Sequence, residues 1–90
     1  MSEITETIVV VNRDGIHARP AAKLVQAALV FESDVFILFN GSRVNAKSIM
    51  GLLTLAAMRG SELSVTCKGL DAEAAMAAVR DLFASRFGED

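Results

Sequence analysis

The sequence predicts a single domain of the α+β class, over residues 1–90, in which helices cover one face of an antiparallel sheet. Three observations support this prediction. A chain of 90 residues has room for one core. Its composition, 52% hydrophobic and 22% charged, is typical of a folded chain. Along the chain, the spacing of its hydrophobic residues changes between the period of a strand and that of a helix, which gives the order β-α-β-β-α-β-α.

The first segments predict a strand, a turn and a helix. Residues 4–11 are rich in β-branched side chains, and residues 12–16 contain Asn, Asp and Gly, which favour a turn. Because proline is tolerated only in the first turn of a helix, Pro20 sets the helix start at about Ala18. His17 is therefore expected at or next to the N-cap. Apolar residues that recur every three or four positions predict the buried face of this helix, at Ala21, Leu24, Val25 and Ala28.

The middle of the chain predicts a hairpin followed by a short helix. Residues 35–39 and 43–46 read as strands, and Asn40-Gly41 between them is a strong signal for a two-residue turn. Ser48 precedes the segment IMGLLTL and is the predicted N-cap of the second helix.

The last third predicts a strand and a helix. Residues 62–68 alternate in polarity, so that Leu63, Val65 and Cys67 should point inward. Asp71 is the predicted cap of the final helix, and Gly88 its predicted end. The buried stripe of that helix is expected at Ala75, Met76, Val79, Leu82 and Phe83. Periodicity alone leaves a ferredoxin-like strand order and other orders open.

Composition argues against several classes of function. The net charge of −2 argues against nucleic-acid binding, and no apolar run approaches the roughly 20 residues of a membrane span. The acidic first residues do not resemble a signal peptide, and a single cysteine permits a reducing compartment, so we expect a cytoplasmic protein. The chain is also expected to be a monomer. One histidine and one cysteine cannot supply a metal site, and no cofactor is expected.

The segment GIHARPAA contains the only histidine and the only proline of the chain. One interpretation is that His17 merely caps the helix. The other is that it carries a phosphoryl group. Amides at a helix start lack intrahelical partners and attract anions, and they disfavour the imidazolium, so a neutral ring there is a nucleophile. Arg19 adds a permanent charge suited to phosphate, and Gly15 lets the loop turn tightly and leave the ring uncovered.

The segments GIHARPAAKLVQAA and NGSRVNAKSIMGLLTL, with the final helix after GLDAE, resemble the histidine-containing phosphocarrier (HPr) family of the bacterial phosphoenolpyruvate–sugar phosphotransferase system. The resemblance implies an open-faced two-layer sandwich, with a four-stranded antiparallel sheet in the order 1-4-2-3 and three helices on one face. It also implies a phosphocarrier rather than an enzyme. His17 would accept phosphate on Nδ1 from enzyme I and pass it to the A component of a sugar-specific enzyme II. Arg19 would stabilise the phosphate, and Gly15 and Ala18 would support it.

The resemblance assigns two further features. Ser48 matches the serine that a regulatory kinase phosphorylates in the family, although its ordinary role would be that of a helix cap. A serine kinase/phosphorylase and a catabolite-control transcription factor would then be additional partners. Core is the usual place for apolar helix residues, but in the family the matching positions form an exposed docking patch with a basic rim. The predicted docking residues are Ile49, Met50, Leu53, Lys23 and Lys47.

Three alternatives remain at this point. The chain could serve the nitrogen-related branch of the same phosphotransferase network, in which the histidine chemistry is identical. It could be a purely regulatory protein that acts through Ser48, although relatives of that type lack the histidine. It could also be a ligand-binding α+β module in which His17 is only a cap.

Overall fold

The computed structural model of the chain describes residues 1–89. Its strands are β1 (Ser2–Val9), β2 (Asp34–Phe39), β3 (Ser42–Asn45) and β4 (Glu62–Gly69). Its helices are α1 (Ala18–Leu29), α2 (Ile49–Thr54) and α3 (Ala72–Ala84), and a single 3₁₀ turn, Arg86–Gly88, follows α3. The predicted element order is confirmed.

The four strands form one antiparallel sheet in the order β1-β4-β2-β3. This is the order that the resemblance implied, so a ferredoxin-like arrangement is excluded. The β2–β3 hairpin turns at Asn40 and Gly41, which both have the positive φ angles that a two-residue turn of this kind needs. Strand β4 lies in the interior, paired with β1 on one side and β2 on the other.

The core lies between the sheet and the helices. The predicted alternation of β4 is confirmed, since Leu63, Val65 and Cys67 are fully buried. They meet the apolar face of α1 and the predicted stripe of α3, in which Leu82 is only partly buried. Burial raises the pKa of the Cys67 thiol to about 11, so the sulfur remains a protonated core group.

Two predictions about the final helix need correction. It ends at Ala84 and not at Gly88, because the chain breaks into left-handed backbone at Arg86 and Phe87, with φ angles of 58° and 57°. Asp71 is the N-cap by position, but its carboxylate does not bond the helix amides. It accepts instead from the backbone amides of Glu32 and Ser33, at 2.9 Å each, and so ties the start of α3 to the loop before β2.

Within residues 1–89, no helix has the length and apolar character needed to cross a membrane.

Candidate functional site

His17 occupies the N-cap of α1 with extended backbone, as the position of Pro20 predicted. Its side chain is 43% exposed and makes no capping bond to the helix. Proline has no amide hydrogen, and Ala21 N donates to His17 O at 2.9 Å as an early backbone bond of the helix. Because Ala18 and Arg19 stand in the first turn of α1, their amides have no acceptor within the helix, and they follow His17 directly in the chain.

The loop before His17 is held by Gly15. This glycine has a φ of +71°, and a Cβ added to it would lie 2.5 Å from Ala57 O and 2.8 Å from Met58 Cα. Ile16 N donates to Ala57 O at 2.9 Å, so the loop is fastened to the segment that follows α2. Only glycine meets both the backbone angle and the close approach. The sequence interpretation of Gly15 as a tight turn is therefore correct, and the contact with residues 57 and 58 adds a second reason for it.

Two polar residues that the sequence analysis did not assign to the site also contact this region. Glu89 Oε1 lies 3.0 Å from His17 Nε2, although 72 positions separate the two residues. The fully buried Asn12 donates from Nδ2 to Gly15 O at 2.7 Å and to Glu89 Oε1 at 3.3 Å. The sequence predicts Asn12 only as part of the turn over residues 12–16. Neither residue belongs to a periodic pattern, so local sequence carried no signal for the pairing.

The Glu89 carboxylate carries a negative charge at neutral pH. The hydrogen bond with His17, helped by the bond from Asn12 and the nearby charge of Arg19, outweighs partial burial and holds the pKa of the carboxyl below its usual range. Arg19 itself is exposed in the first turn of α1.

Ser48 is exposed at the N-cap of α2, as predicted. Its Oγ accepts from Gly51 N at 3.1 Å, which satisfies one of the amides at the start of this short helix. The capping role and an accessible hydroxyl thus coexist in one residue.

The three predicted docking residues of α2 are exposed: Ile49 by 42%, Met50 by 71% and Leu53 by 36%. The two predicted rim lysines are partly engaged with the backbone. Lys23 Nζ donates to Phe87 O, and Lys47 Nζ donates to Phe31 O at 3.0 Å. Residues 1–89 contain no cluster of three His, Cys, Asp or Glu side chains that could hold a metal ion.

Comparison with known proteins gives one consistent family. Residues 4–85 match the family model described as "PTS HPr component phosphorylation site". The chain is 47% identical to a phosphocarrier protein HPr of Treponema pallidum (strain Nichols), over 97% of this chain and 99% of that protein.

Solved structures agree. A crystal structure of HPr-C-His from Thermoanaerobacter tengcongensis covers 100% of this chain and 99% of its own, at 42% identity and a TM-score of 0.91. A crystal structure of an HPr dimer from the same organism covers 99% and 100%, at 43% identity and a TM-score of 0.78. The resemblance seen in the sequence is confirmed, and the chain belongs to the HPr family of phosphotransferase-system phosphocarriers, which are carrier proteins and not enzymes.

Proposed function

We propose that His17 is the phosphoryl acceptor of this phosphocarrier. Enzyme I would supply the group, and the A component of an enzyme II would receive it. The observation that carries the proposal is the position of the imidazole, which is half exposed at the N-cap of α1 in a chain of the HPr family. A carrier histidine must be reachable by two partners in turn, and this one is open to solvent.

The surroundings suit a ring that gains and loses a charged group. The amides of Ala18 and Arg19 and the aligned peptide dipoles of α1 favour negative charge at the helix start. The Arg19 guanidinium supplies donors in a geometry that matches phosphate oxygens. Gly15 keeps the loop tight against residues 57 and 58, which limits the positions the ring can adopt.

The direct test is incubation with enzyme I and labelled phosphoenolpyruvate. The expected product is an acid-labile, base-stable label on the wild-type protein, since phosphohistidine has these stabilities. His17→Ala should abolish the label, whereas Arg19→Ala should retain it but accept it more slowly. A label that survives in His17→Ala would refute the assignment of His17. An unlabelled wild-type protein would favour the alternative of a ligand-binding module.

We propose that Ser48 is a regulatory phosphorylation site. Its support is an exposed hydroxyl at the N-cap of α2, on the same surface as the exposed Ile49 and Met50. Phosphorylation would add about −1.5 to −2 charges at a helix start, where negative charge is tolerated. Its main effect would be on partners that approach this surface.

Substitution by aspartate tests this effect. Ser48→Asp should fold normally, because aspartate also caps helices, and it should accept phosphate from enzyme I more slowly through the added charge. Ser48→Asn is the matched control, since it caps without charge and should transfer at the wild-type rate. Rates would be measured by rapid quench, and equal rates for the two variants would contradict the proposal. A regulatory-only role is opposed by the exposed His17.

The proposed docking surface consists of Ile49, Met50 and Leu53, with a basic rim of Arg19, Lys23 and Lys47. Adaptable apolar side chains suit successive partners, and basic charge suits acidic ones. A serine kinase/phosphorylase and a catabolite-control transcription factor would be further partners of the Ser48 region. Assays with the enzyme II components of each branch separate a sugar-transport role from the nitrogen-related role.

The proposed unit is one domain that acts as a cytoplasmic monomer. Its support is the single cysteine, which is kept as a buried free thiol, as suits a reducing compartment. The similar protein crystallised as a dimer makes sedimentation the relevant check of the monomer.

A further inference from the structure

The segment after α3 folds back over the start of α1 and brings a carboxylate to His17. Its anchor is Phe87, which is 1% exposed and packs edge-on against Phe83, with ring centroids 4.8 Å apart. Lys23 Nζ donates to Phe87 O, and Glu89 N donates to Arg86 O at 3.0 Å. The backbone at residue 89 is thus held by contacts that do not involve the Glu89 side chain.

From this fixed backbone the Glu89 carboxylate reaches one particular atom of the imidazole. Oε1 lies 3.0 Å from His17 Nε2, and Asn12 Nδ2 donates to the same oxygen at 3.3 Å. Asn12 is fully buried and also bonds Gly15 O at 2.7 Å, so its amide group is held by a second contact that does not involve the carboxylate. The carboxylate, the buried amide and the imidazole therefore form one connected group.

This contact fixes the proton of the neutral ring. An ionised carboxylate only accepts hydrogen bonds, so the nitrogen beside it must carry the hydrogen. The hydrogen then resides on Nε2, and Nδ1 keeps its lone pair on the opposite edge of the ring. A hydrogen bond to one ring nitrogen is the usual way in which proteins set the tautomer of a histidine.

We propose that Glu89 is a positioning residue that makes Nδ1 of His17 the phosphoryl acceptor, by holding the hydrogen on Nε2. The inference rests on the proposed carrier function and names the group that prepares its nucleophile. It also explains why a negative charge can lie so near a site that takes phosphate: the carboxylate occupies the ring edge that does not react.

The transfer step balances without another reactant. The Nδ1 lone pair attacks the phosphorus of a phosphorylated histidine on the donor protein. The donor N–P bond breaks, and its electron pair returns to the donor ring. His17 keeps its Nε2 hydrogen throughout, so the ring acquires positive charge as the new bond forms. The Glu89 carboxylate, in contact with Nε2–H, stabilises that charge. Transfer to the next protein reverses these changes.

The test combines a spectroscopic and a kinetic measurement on three proteins. Imidazole ¹⁵N shifts at pH 8 should show Nε2 protonated and Nδ1 unprotonated in the wild type. In Glu89→Ala the two shifts should move toward each other as the tautomers mix, and phosphoryl transfer from enzyme I should slow by about 10-fold or more. Glu89→Gln should keep the wild-type shifts and recover most of the rate, because its amide oxygen also accepts from N–H.

Glu3→Gln is the matched control, because it removes an exposed carboxylate at the start of β1 and should change neither measurement. Unchanged ¹⁵N shifts in Glu89→Ala would overturn the inference, as would a transfer rate equal to or above that of the wild type. A faster variant would instead mark Glu89 as an obstacle to the phosphoryl group. Failure of the wild type to accept phosphate would refute the carrier function itself, so the two failures are distinct.

Discussion

Gly15 packs the loop before His17 against the segment that follows α2, so its replacement should destabilise the fold. Gly15→Ala places a methyl group 2.5 Å from Ala57 O in backbone that favours glycine. We expect a loss of about 2–4 kcal/mol in the free energy of unfolding, from the left-handed backbone and the overpacking together. Gly41→Ala is the control, because its φ is +79° but nothing lies within 4 Å of the added Cβ. It should cost only about 1 kcal/mol.

Urea unfolding followed by circular dichroism measures both variants, since the chain has no Trp or Tyr for fluorescence. Equal losses at the two positions would show that the contact with Ala57 is unimportant.

The sequence predicts a residue's role best where that residue acts on its own backbone. Pro20 located the start of α1 and therefore His17, because a missing amide hydrogen allows few positions in a helix. Ser48 was found for the same kind of reason. Glu89 and Asn12 were missed, because their roles depend on an approach between segments 72 and 77 positions apart. Such contacts follow from the tertiary fold and leave no periodic trace in the chain.

At the scale of elements, α2 ends in strained backbone. Ala56 has a φ of 52°, and its amide donates to Leu53 O at 3.2 Å, as at a helix end that favours glycine. Ala56→Gly should therefore raise the free energy of unfolding by about 0.5–1 kcal/mol. Ala74→Gly, at an exposed position inside α3, is the opposing control and should lower it by about 1 kcal/mol. Destabilisation by both substitutions would mean that the strain at Ala56 is negligible.

Asp71 links two elements and makes stability depend on pH. The hydrogen bond from the Ser33 side chain, followed by that from Glu32 N, lowers the pKa of the Asp71 carboxyl in the folded protein. A lowered folded-state pKa stabilises the fold above the unfolded value of about 3.9. That stabilisation is lost as the pH falls through the folded value. Asp71→Asn should therefore melt below the wild type at pH 7, by a margin that shrinks below about pH 4.

Thermal unfolding at several pH values measures the margin, with Asp81→Asn as a control at an exposed position of α3. A margin that stays constant down to pH 2 would show that the carboxylate form is not responsible. The sequence predicts Asp71 as the N-cap of α3, but it does not predict the hydrogen bonds that its carboxylate makes. The reason is that its oxygens bond amides of the loop before β2, whose proximity depends on the β4–β2 pairing.

At the scale of the whole molecule, the order of the strands in the sheet is the feature that hydrophobic periodicity does not predict. The Asn40-Gly41 hairpin is local and was predicted from two residues. The β1–β4 pairing joins residues 2–9 to residues 62–69, and only the family resemblance implied it. Contacts between residues far apart in the chain also bring the segment after α3 to the start of α1. In that segment Phe87 packs into the core and Glu89 reaches His17, so the core and the candidate site depend on the same segment.

Phe87 belongs to the core and lies two residues before Glu89 of the candidate site. Its truncation should therefore affect the stability of the whole domain. Its ring is 1% exposed against Phe83, and its carbonyl accepts from Lys23. Phe87→Ala should lower the free energy of unfolding by about 3–5 kcal/mol, a large share of the roughly 5–15 kcal/mol that small domains possess. Leu70→Ala, at a side chain exposed by 82%, should change it by less than about 0.5 kcal/mol.

Urea unfolding gives both values, and the ¹⁵N shifts of His17 in the folded fraction of Phe87→Ala give a second reading. If Phe87 holds the backbone from which Glu89 reaches His17, those shifts should move in the direction seen for Glu89→Ala. A destabilised protein with wild-type imidazole shifts would show that Glu89 reaches the ring without this anchor. The core and the preparation of the nucleophile would then be independent properties of the fold.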